Sequence, residues 1–264
     1  MTVGIGFNSR FDTAQIDGLP VSCVAADDVL AELARSIAAG ETGHYVCVAN
    51  SESMYHGQRD HGHGAFIRGA DFNICDGIGV RLAGSVWGAN VPRITGPALM
   101  LLAAEFGVSR GWRHFFYGGA PGVPAELARR LTQHFPGLCV CGTYSPPFRD
   151  LTDGEREEAE RLILEARPDI VWVGLGLPKQ ERWIASEVGR LPVPWMIGVG
   201  AAFNYHSGAE PWAPKFLRAA GLEWLHTLAL QPRRRARRYL RSLAYVVFTA
   251  TKGMVRARFI KRQS

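Results

Sequence analysis

Asp76 has the surroundings that a catalytic carboxylate needs. It follows Phe72-Asn73-Ile74-Cys75, which reads as a short buried strand, and it precedes Gly77-Ile78-Gly79-Val80, which opens the next element. Open α/β sheets gather their ligands at the C-terminal ends of strands. A carboxylate placed there can take a proton from a reacting hydroxyl as a general base. Asp-Gly is also among the commonest turn formers, so this stretch alone leaves both readings open.

A second kind of chemistry is written in three glycine-rich segments. Gly118-Gly119-Ala120-Pro121-Gly122 follows Tyr117, Gly174-Leu175-Gly176 follows Val173, and Gly198-Val199-Gly200 closes the last strand. Glycine at such places lets backbone N–H groups close on an anion, and a following helix adds the favourable end of its dipole. Three loops of this kind on one sheet point to a phosphate-bearing ligand. None continues as the Gly-Lys-Ser/Thr of a P-loop. None forms the Gly-x-Gly-x-x-Gly dinucleotide fingerprint with its later acidic residue. A nicotinamide-dependent oxidoreductase therefore stands as the alternative enzyme class, and a non-catalytic nucleotide-binding membrane adaptor as the alternative outside catalysis.

The elements that must hold these residues alternate along the chain. Val21–Val24 reads as an edge strand after a weakly patterned start. Asp27 caps a helix running to about Ala39, and Tyr45–Ala49 is a strand ending at Asn50. After Phe72–Cys75 come a helix over Pro97–Phe106, the strand Arg113–Tyr117 and a helix over Pro124–His134. The strand Leu138–Cys141, the charged helix Thr152–Ala166 and the strand Asp169–Val173 continue the series. A helix to about Val188 and the strand Trp195–Val199 complete it. Apolar strands separated by helices predict an α/β fold, a Rossmann-like parallel sheet with helices on both faces.

Composition agrees with a folded body and isolates an unusual end. The chain has 264 residues and is 47% hydrophobic, enough to bury a proper core. It shows neither a signal-peptide pattern nor an apolar run near the ~20 residues that span a bilayer, so a cytoplasmic protein is expected. Five cysteines without a regular framework fit a reducing compartment, and Cys139 and Cys141 read as core thiols sharing a strand face. All 11 Lys and Arg residues after Glu223 lie in Arg233–Arg262, and no Asp or Glu follows Glu223. The formal charge of +6 thus belongs to a basic appendage on a mildly acidic body. The organisation expected is a domain over residues 1–231 and an appendage over 232–264.

In that appendage Arg233-Arg234-Arg235-Ala236-Arg237-Arg238 is followed by Tyr239 to Phe248, an apolar stretch too short to span. A helix lying on an anionic membrane surface uses both halves, at about 1 kcal/mol per basic residue. Nucleic acid is not the expected partner, because Tyr245, Val246, Val247 and Phe248 require lipid or protein. A core-packed helix with a solvated arginine face is the third use of such a pattern. His56, His61 and His63 lie close in sequence, but without matching acidic or thiol ligands they read as a polar loop or helix face; no metal site is expected.

Several of these segments together resemble the WecG/TagA/CpsF family of glycosyltransferases. Phe115-Phe116-Tyr117-Gly118-Gly119-Ala120-Pro121-Gly122-Val123 carries the likeness, as does Pro168-Asp169-Ile170-Val171-Trp172-Val173-Gly174-Leu175-Gly176-Leu177-Pro178-Lys179-Gln180-Glu181. Gly221-Leu222-Glu223-Trp224-Leu225, the Asp76-Gly77-Ile78-Gly79-Val80 turn and Asn50 match as well, in order, over roughly Val46–Tyr239. The resemblance implies an inverting, metal-independent transfer from a UDP-sugar, a substrate and not a cofactor, to a polyprenyl-diphosphate-linked sugar. Such enzymes work at the inner face of the cytoplasmic membrane in cell-surface or exopolysaccharide assembly. It assigns Asp76 as the base, with Asn50, Arg93 and Gln180 in the site. Gly118, Gly119, Pro121, Gly122, Thr143, Gly174, Gly176, Lys179, Gln180, Glu181 and Gly200 are the candidates for the nucleotide. Arg233, Arg234, Arg237 and Arg238 are the candidates for the acceptor and the membrane. A homo-oligomer is left open.

Three positions depart from the family pattern. Val48 stands where a Thr is common, Trp212 where an Arg precedes Ala-Pro, and Thr227 where an Arg follows Glu-Trp-Leu. Two absent positive charges bear on how a diphosphate is held, and leave the donor open between an N-acetylmannosamine-type sugar and a neutral hexose.

Overall fold

The computed structural model describes residues 11–263, with the side chains of residues 234 and 256–263 outside the description. A hairpin comes first: β1 (Thr13–Ile16) and β2 (Leu19–Ser22) pair antiparallel. Asp17 and Gly18 between them have φ of 51° and 80°. That is the two-residue Asp-Gly turn that suits the twist of a hairpin. It corrects the expected strand Val21–Val24: the turn sets the start at Leu19 and supplies a partner strand that the weak hydrophobic pattern concealed.

Next come α1 (Ala26–Ala38), β3 (His44–Ala49), α2 (Ser51–Gly57), α3 (His61–Gly69), β4 (Phe72–Cys75), α4 (Ile78–Val86) and α5 (Gly96–Val108). Strict alternation follows, through β5 (Arg113–Gly118), α6 (Val123–His134), β6 (Cys139–Tyr144), α7 (Asp153–Ala166), β7 (Ile170–Gly174), α8 (Lys179–Glu187) and β8 (Trp195–Gly198). The helices α9 (Ala202–Ser207), α10 (Lys215–Ala219), α11 (Glu223–Leu230) and α12 (Pro232–Gln263) end the series. Local chemistry sets many of these boundaries. Thr152 and Glu155 form a reciprocal capping box at the start of α7, satisfying two N–H groups that the helix leaves open.

Strands β3 to β8 make a six-stranded parallel sheet in the order β4-β3-β8-β7-β5-β6, flanked by helices. The apolar runs Ile170–Val173 and Trp195–Ile197 are fully buried, as a strand covered on both faces must be. The chain divides into two compact units. The first is drawn from Met1–Ala25, Val48–Thr95 and Ala213–Ser264, the second from Ala26–Cys47 and Gly96–Trp212.

In the first unit the basic segment forms one helix, α12, which packs along α4 and α2. Tyr245, Thr249 and Gly253, at helical spacing, are its buried stripe. Trp87 Nε1 donates to the Thr249 carbonyl at 3.1 Å, and Lys252 Nζ lies 3.0 Å from Asp17 Oδ1. Glycine is required where α4 begins. A Cβ on Gly79 would lie 2.5 Å from Ser51 Oγ and 2.7 Å from Val246 Cγ2, so α2 and α12 approach there only because no side chain intervenes.

In the second unit two buried tryptophans have polar partners within the core. Trp195 Nε1 donates to Ser36 Oγ at 2.6 Å, and Trp172 Nε1 donates to His114 Nδ1 at 3.0 Å. The second bond requires an imidazole whose Nδ1 is an acceptor, which the protonated ring cannot offer. Burial accordingly pulls the His114 pKa down to about 4. An unfolded His titrates near 6.5. The unfolded chain therefore binds this proton first, and the stability present above about pH 6.5 is lost as pH falls toward 4. Between pH 7 and pH 5 this one group should cost about 2 kcal/mol. Denaturant titrations at the two pH values should show a loss smaller by that amount in His114→Gln; an identical loss in both proteins would contradict the assignment.

Candidate active site

The sheet order creates a crevice within the second unit. From β5 the chain crosses to β6 on one side, and from β7 it crosses to β8 on the other. The C-terminal ends of β5 and β7 therefore lie at a topological switch point, where open α/β sheets bind their ligands. Two of the three glycine-rich segments emerge there. Gly119 N donates to the Gly174 carbonyl at 3.1 Å, tying the two loops together. Much of the glycine content has a packing cause. A Cβ on Gly118 would meet the Gly174 backbone at 2.7 Å, and one on Gly174 would meet the Phe203 ring at 2.6 Å. Gly122 and Gly176 have open space around the same position and positive φ of 85° and 75°.

Gln180, at the start of α8, is buried and knits this crevice. Its Oε1 accepts from Gly176 N at 3.2 Å, and its Nε2 donates to Glu181 Oε1 at 3.0 Å. Its amide also lies against Gly198 and Gly200, where a Cβ would come within 2.9 Å and 3.3 Å of it. Lys179, beside it, is exposed. Pro121 is exposed in its loop, and Thr143 is exposed within β6, in register with Phe116.

Asn50, Asp76 and Arg93 belong to the first unit. Asp76 leaves β4 with its N–H donating to the Ala49 carbonyl at 3.0 Å. Gly77, with φ of −109°, is the N-cap of α4, so the chain runs from strand to helix through extended backbone and not through a left-handed turn. Asn50 adjoins this turn: a Cβ on Gly77 would lie 3.8 Å from Asn50 Cβ. Asn50 Oδ1 caps α2 by accepting from Glu52 N and Ser53 N, both at 3.0 Å. Any hydrogen bond that Asn50 gives toward a substrate must then come from Nδ2. Beside Asp76, burial and the Asp76 charge push the Cys75 thiol up to about 12, which makes it a neutral core thiol and no nucleophile.

Arg93 grips this turn from three directions. Its Nε donates to the Asp76 carbonyl at 3.0 Å, its Nη1 to the Arg218 carbonyl at 2.8 Å, and its Nη2 to both Glu223 oxygens at 2.6 Å. Ile94 N donates to the Cys75 carbonyl at 2.9 Å, which lays this segment alongside β4. Glu223 carries no role in the sequence reading, although it sits in the distinctive Gly221-Leu222-Glu223-Trp224-Leu225 segment.

Of the tail arginines, Arg238 turns inward and pairs with Glu52, while Arg233 and Arg237 are exposed. Arg234 lies outside the described side chains. Arg241 Nη2 also approaches Glu52, at 3.9 Å. Neither Glu52 nor Arg241 is singled out by sequence, since their pairing joins α2 to α12 across the chain. Opposite the buried stripe, Leu240, Leu243, Val247, Phe248 and Met254 are exposed, and so are Phe216 on α10 and Trp224, Leu225 and Leu230 on α11. His63 faces inward, with Nε2 3.1 Å from Ser53 Oγ.

A parallel α/β sheet with glycine loops at its switch point, a braced carboxylate at a strand end and a basic two-faced helix defines a recognisable class of protein. The profile described as the Glycosyl transferase WecG/TagA/CpsF family matches residues 14–260, and the chain belongs to that family. Three relatives each carry the name N-acetylglucosaminyldiphosphoundecaprenol N-acetyl-beta-D-mannosaminyltransferase. The one from Bacillus spizizenii is 33% identical over 193 residues, 73% of each chain. The one from Bacillus subtilis (strain 168) is 26% identical, covering 72% of this chain and 73% of the relative. The one from Staphylococcus aureus (strain NCTC 8325) is 25% identical, covering 79% and 80%.

Proposed function

We propose that this glycosyltransferase moves a sugar from a UDP-sugar to a polyprenyl-diphosphate-linked sugar with inversion, and that Asp76 is its general base. One observation carries the reading. In a member of this family, a carboxylate ends a buried strand with its own main chain pinned at both ends, the N–H by Ala49 and the carbonyl by Arg93. A base held in that way keeps its aim without reorganising during the reaction.

The chemistry follows from these groups. The acceptor hydroxyl gives its proton to the Asp76 carboxylate while its oxygen forms a bond to the anomeric carbon of the donor. The bond from that carbon to the UDP oxygen breaks, and its electron pair leaves with UDP. Attack opposite the leaving group inverts the anomeric centre. The negative charge gathering on UDP needs fixed donors. In this reading they come from the Gly118–Gly122 and Gly174–Gly176 loops, apart from the Gly119 and Gly176 N–H groups that the Gly174 carbonyl and Gln180 take, with Lys179, in the role a divalent cation has elsewhere. The relatives' names favour an N-acetylmannosamine-type donor and an N-acetylglucosamine-bearing acceptor. The Trp212 and Thr227 departures keep a neutral hexose donor in play. Thr227 Oγ1 is turned back onto the Glu223 carbonyl at 2.9 Å and supplies no charge.

The acceptor's lipid places the reaction at a membrane surface. No described helix is long and apolar enough to cross a membrane. The exposed stripe of α12 through Leu243 and Val247, with the arginines at its start, fits an interface-lying helix on anionic lipid, while its other face holds it to α2 and α4. Because α12 is packed, substitution tests this better than truncation. Leu243→Glu combined with Val247→Glu should strongly reduce binding to vesicles containing anionic lipid and leave the melting temperature unchanged. Undiminished vesicle binding would contradict the interface reading.

For the base, Asp76→Asn keeps the shape and removes the proton acceptor. It should retain UDP binding and lose about 10²–10⁴-fold in turnover on a lipid-linked acceptor. Unchanged turnover would remove Asp76 from the role.

A further inference from the structure

Arg93 has two possible employments. As a substrate cation it would point its guanidinium at a phosphate. The geometry shows that fork turned onto the protein instead, with Nε on the Asp76 carbonyl, Nη1 on the Arg218 carbonyl and Nη2 shared by both oxygens of Glu223. The pair is largely enclosed, with 15% of the Arg93 side chain and 24% of the Glu223 side chain exposed.

We propose that Glu223 is a positioning residue: it holds the Arg93 guanidinium in the orientation that braces the main chain of Asp76, and so sets the aim of the base from the first residue of α11. The inference rests on Asp76 being that base. With Nη2 on both Glu223 oxygens and Nε and Nη1 each on a carbonyl, all three nitrogens of the planar guanidinium are engaged and it has little orientational freedom. Arg93 turned by Glu223 can donate to Asp76 in one direction only. Take the carboxylate away, and the guanidinium is left partly buried without its counter-charge, free to swing toward whatever anion is near. The carbonyl of Asp76 then loses the donor that completes its pinning, and a carboxylate displaced by an ångström works about 10²-fold slower. The same contact gives the Gly-Leu-Glu-Trp segment a function. Its glycine packs on the Asp76 helix, because a Cβ on Gly221 would lie 3.1 Å from Ile78 Cβ, and its glutamate steers Arg93. Neighbouring Trp224 and Leu225 are exposed, so the brace is anchored in a segment that also presents apolar surface.

The test is a steady-state comparison of the full-length protein and its Glu223→Gln, Arg93→Gln, Arg93→Gln with Glu223→Gln, and Asp76→Asn variants, with donor and lipid-linked acceptor each varied. Glu223→Gln should lower kcat by about 10²-fold and leave KM for the donor within about twofold. The double variant, which buries no lone charge and guards against a folding defect, should be no slower than Arg93→Gln alone. Two results would overturn the proposal while leaving the base in place: full kcat in a folded Glu223→Gln protein, or a loss appearing wholly in the donor KM, as expected if Arg93 binds phosphate. Full activity of Asp76→Asn would instead remove the base, and the positioning role with it.

Discussion

The guanidinium of Arg93 is the contact on which the first unit depends most. It joins the end of β4, the end of α10 and the start of α11 at one point, and does so with bonds of fixed direction. Partly buried ion pairs are weak sources of net stability, because desolvation offsets much of the attraction. Their value lies in geometry. A hydrophobic cluster could hold these segments together equally well, but it could not specify how the Asp76 main chain is turned. Catalytic groups need that kind of specification, and carbonyl-directed hydrogen bonds from an arginine supply it.

The appendage obeys two demands at once. Its inner stripe of Tyr245, Thr249 and Gly253 is buried against α4 and α2, with Val246 set over Gly79. Its outer stripe is apolar and exposed. A helix apolar on opposite faces has a cost in water, and in a membrane-bound enzyme the outer face recovers that cost when it meets lipid. The pairing of Arg238 with Glu52 ties the basic start of α12 to the helix that Asn50 caps. The basic helix α12 and the helix beside the carboxylate turn are therefore parts of one packed body.

Much of the architecture was legible in the residues, because a parallel sheet buried on both faces writes itself as apolar runs of fixed length. Phe72–Cys75 needed no correction, and β5, β7 and β8 shifted by a single residue at their ends. The hairpin was not legible from periodicity, since Thr13–Ile16 alternates weakly; the Asp17-Gly18 pair was its readable signal. The glycine loops were visible as glycine, but not the reason for each one. Gly118 and Gly174 are demanded by backbone approach and by Phe203, contacts set by strand order and not by local sequence. Asn50, Asp76 and Arg93 stand in motifs that single them out. Nothing local in the sequence marks the role of Glu223, because its partner lies 130 positions away and only the fold joins them. The same holds for Glu52 and Arg241.

The central claim is an inverting transfer from a UDP-sugar to a lipid diphosphate acceptor. It is tested most directly by mixing the protein with a panel of UDP-sugars and a polyprenyl-diphosphate-linked N-acetylglucosamine, then measuring released UDP and the anomeric configuration of the product. UDP should appear only when the acceptor is present, and an α-linked donor should yield a β-linked product. Release independent of the acceptor, transfer with retained configuration, or no transfer from any UDP-sugar would contradict it.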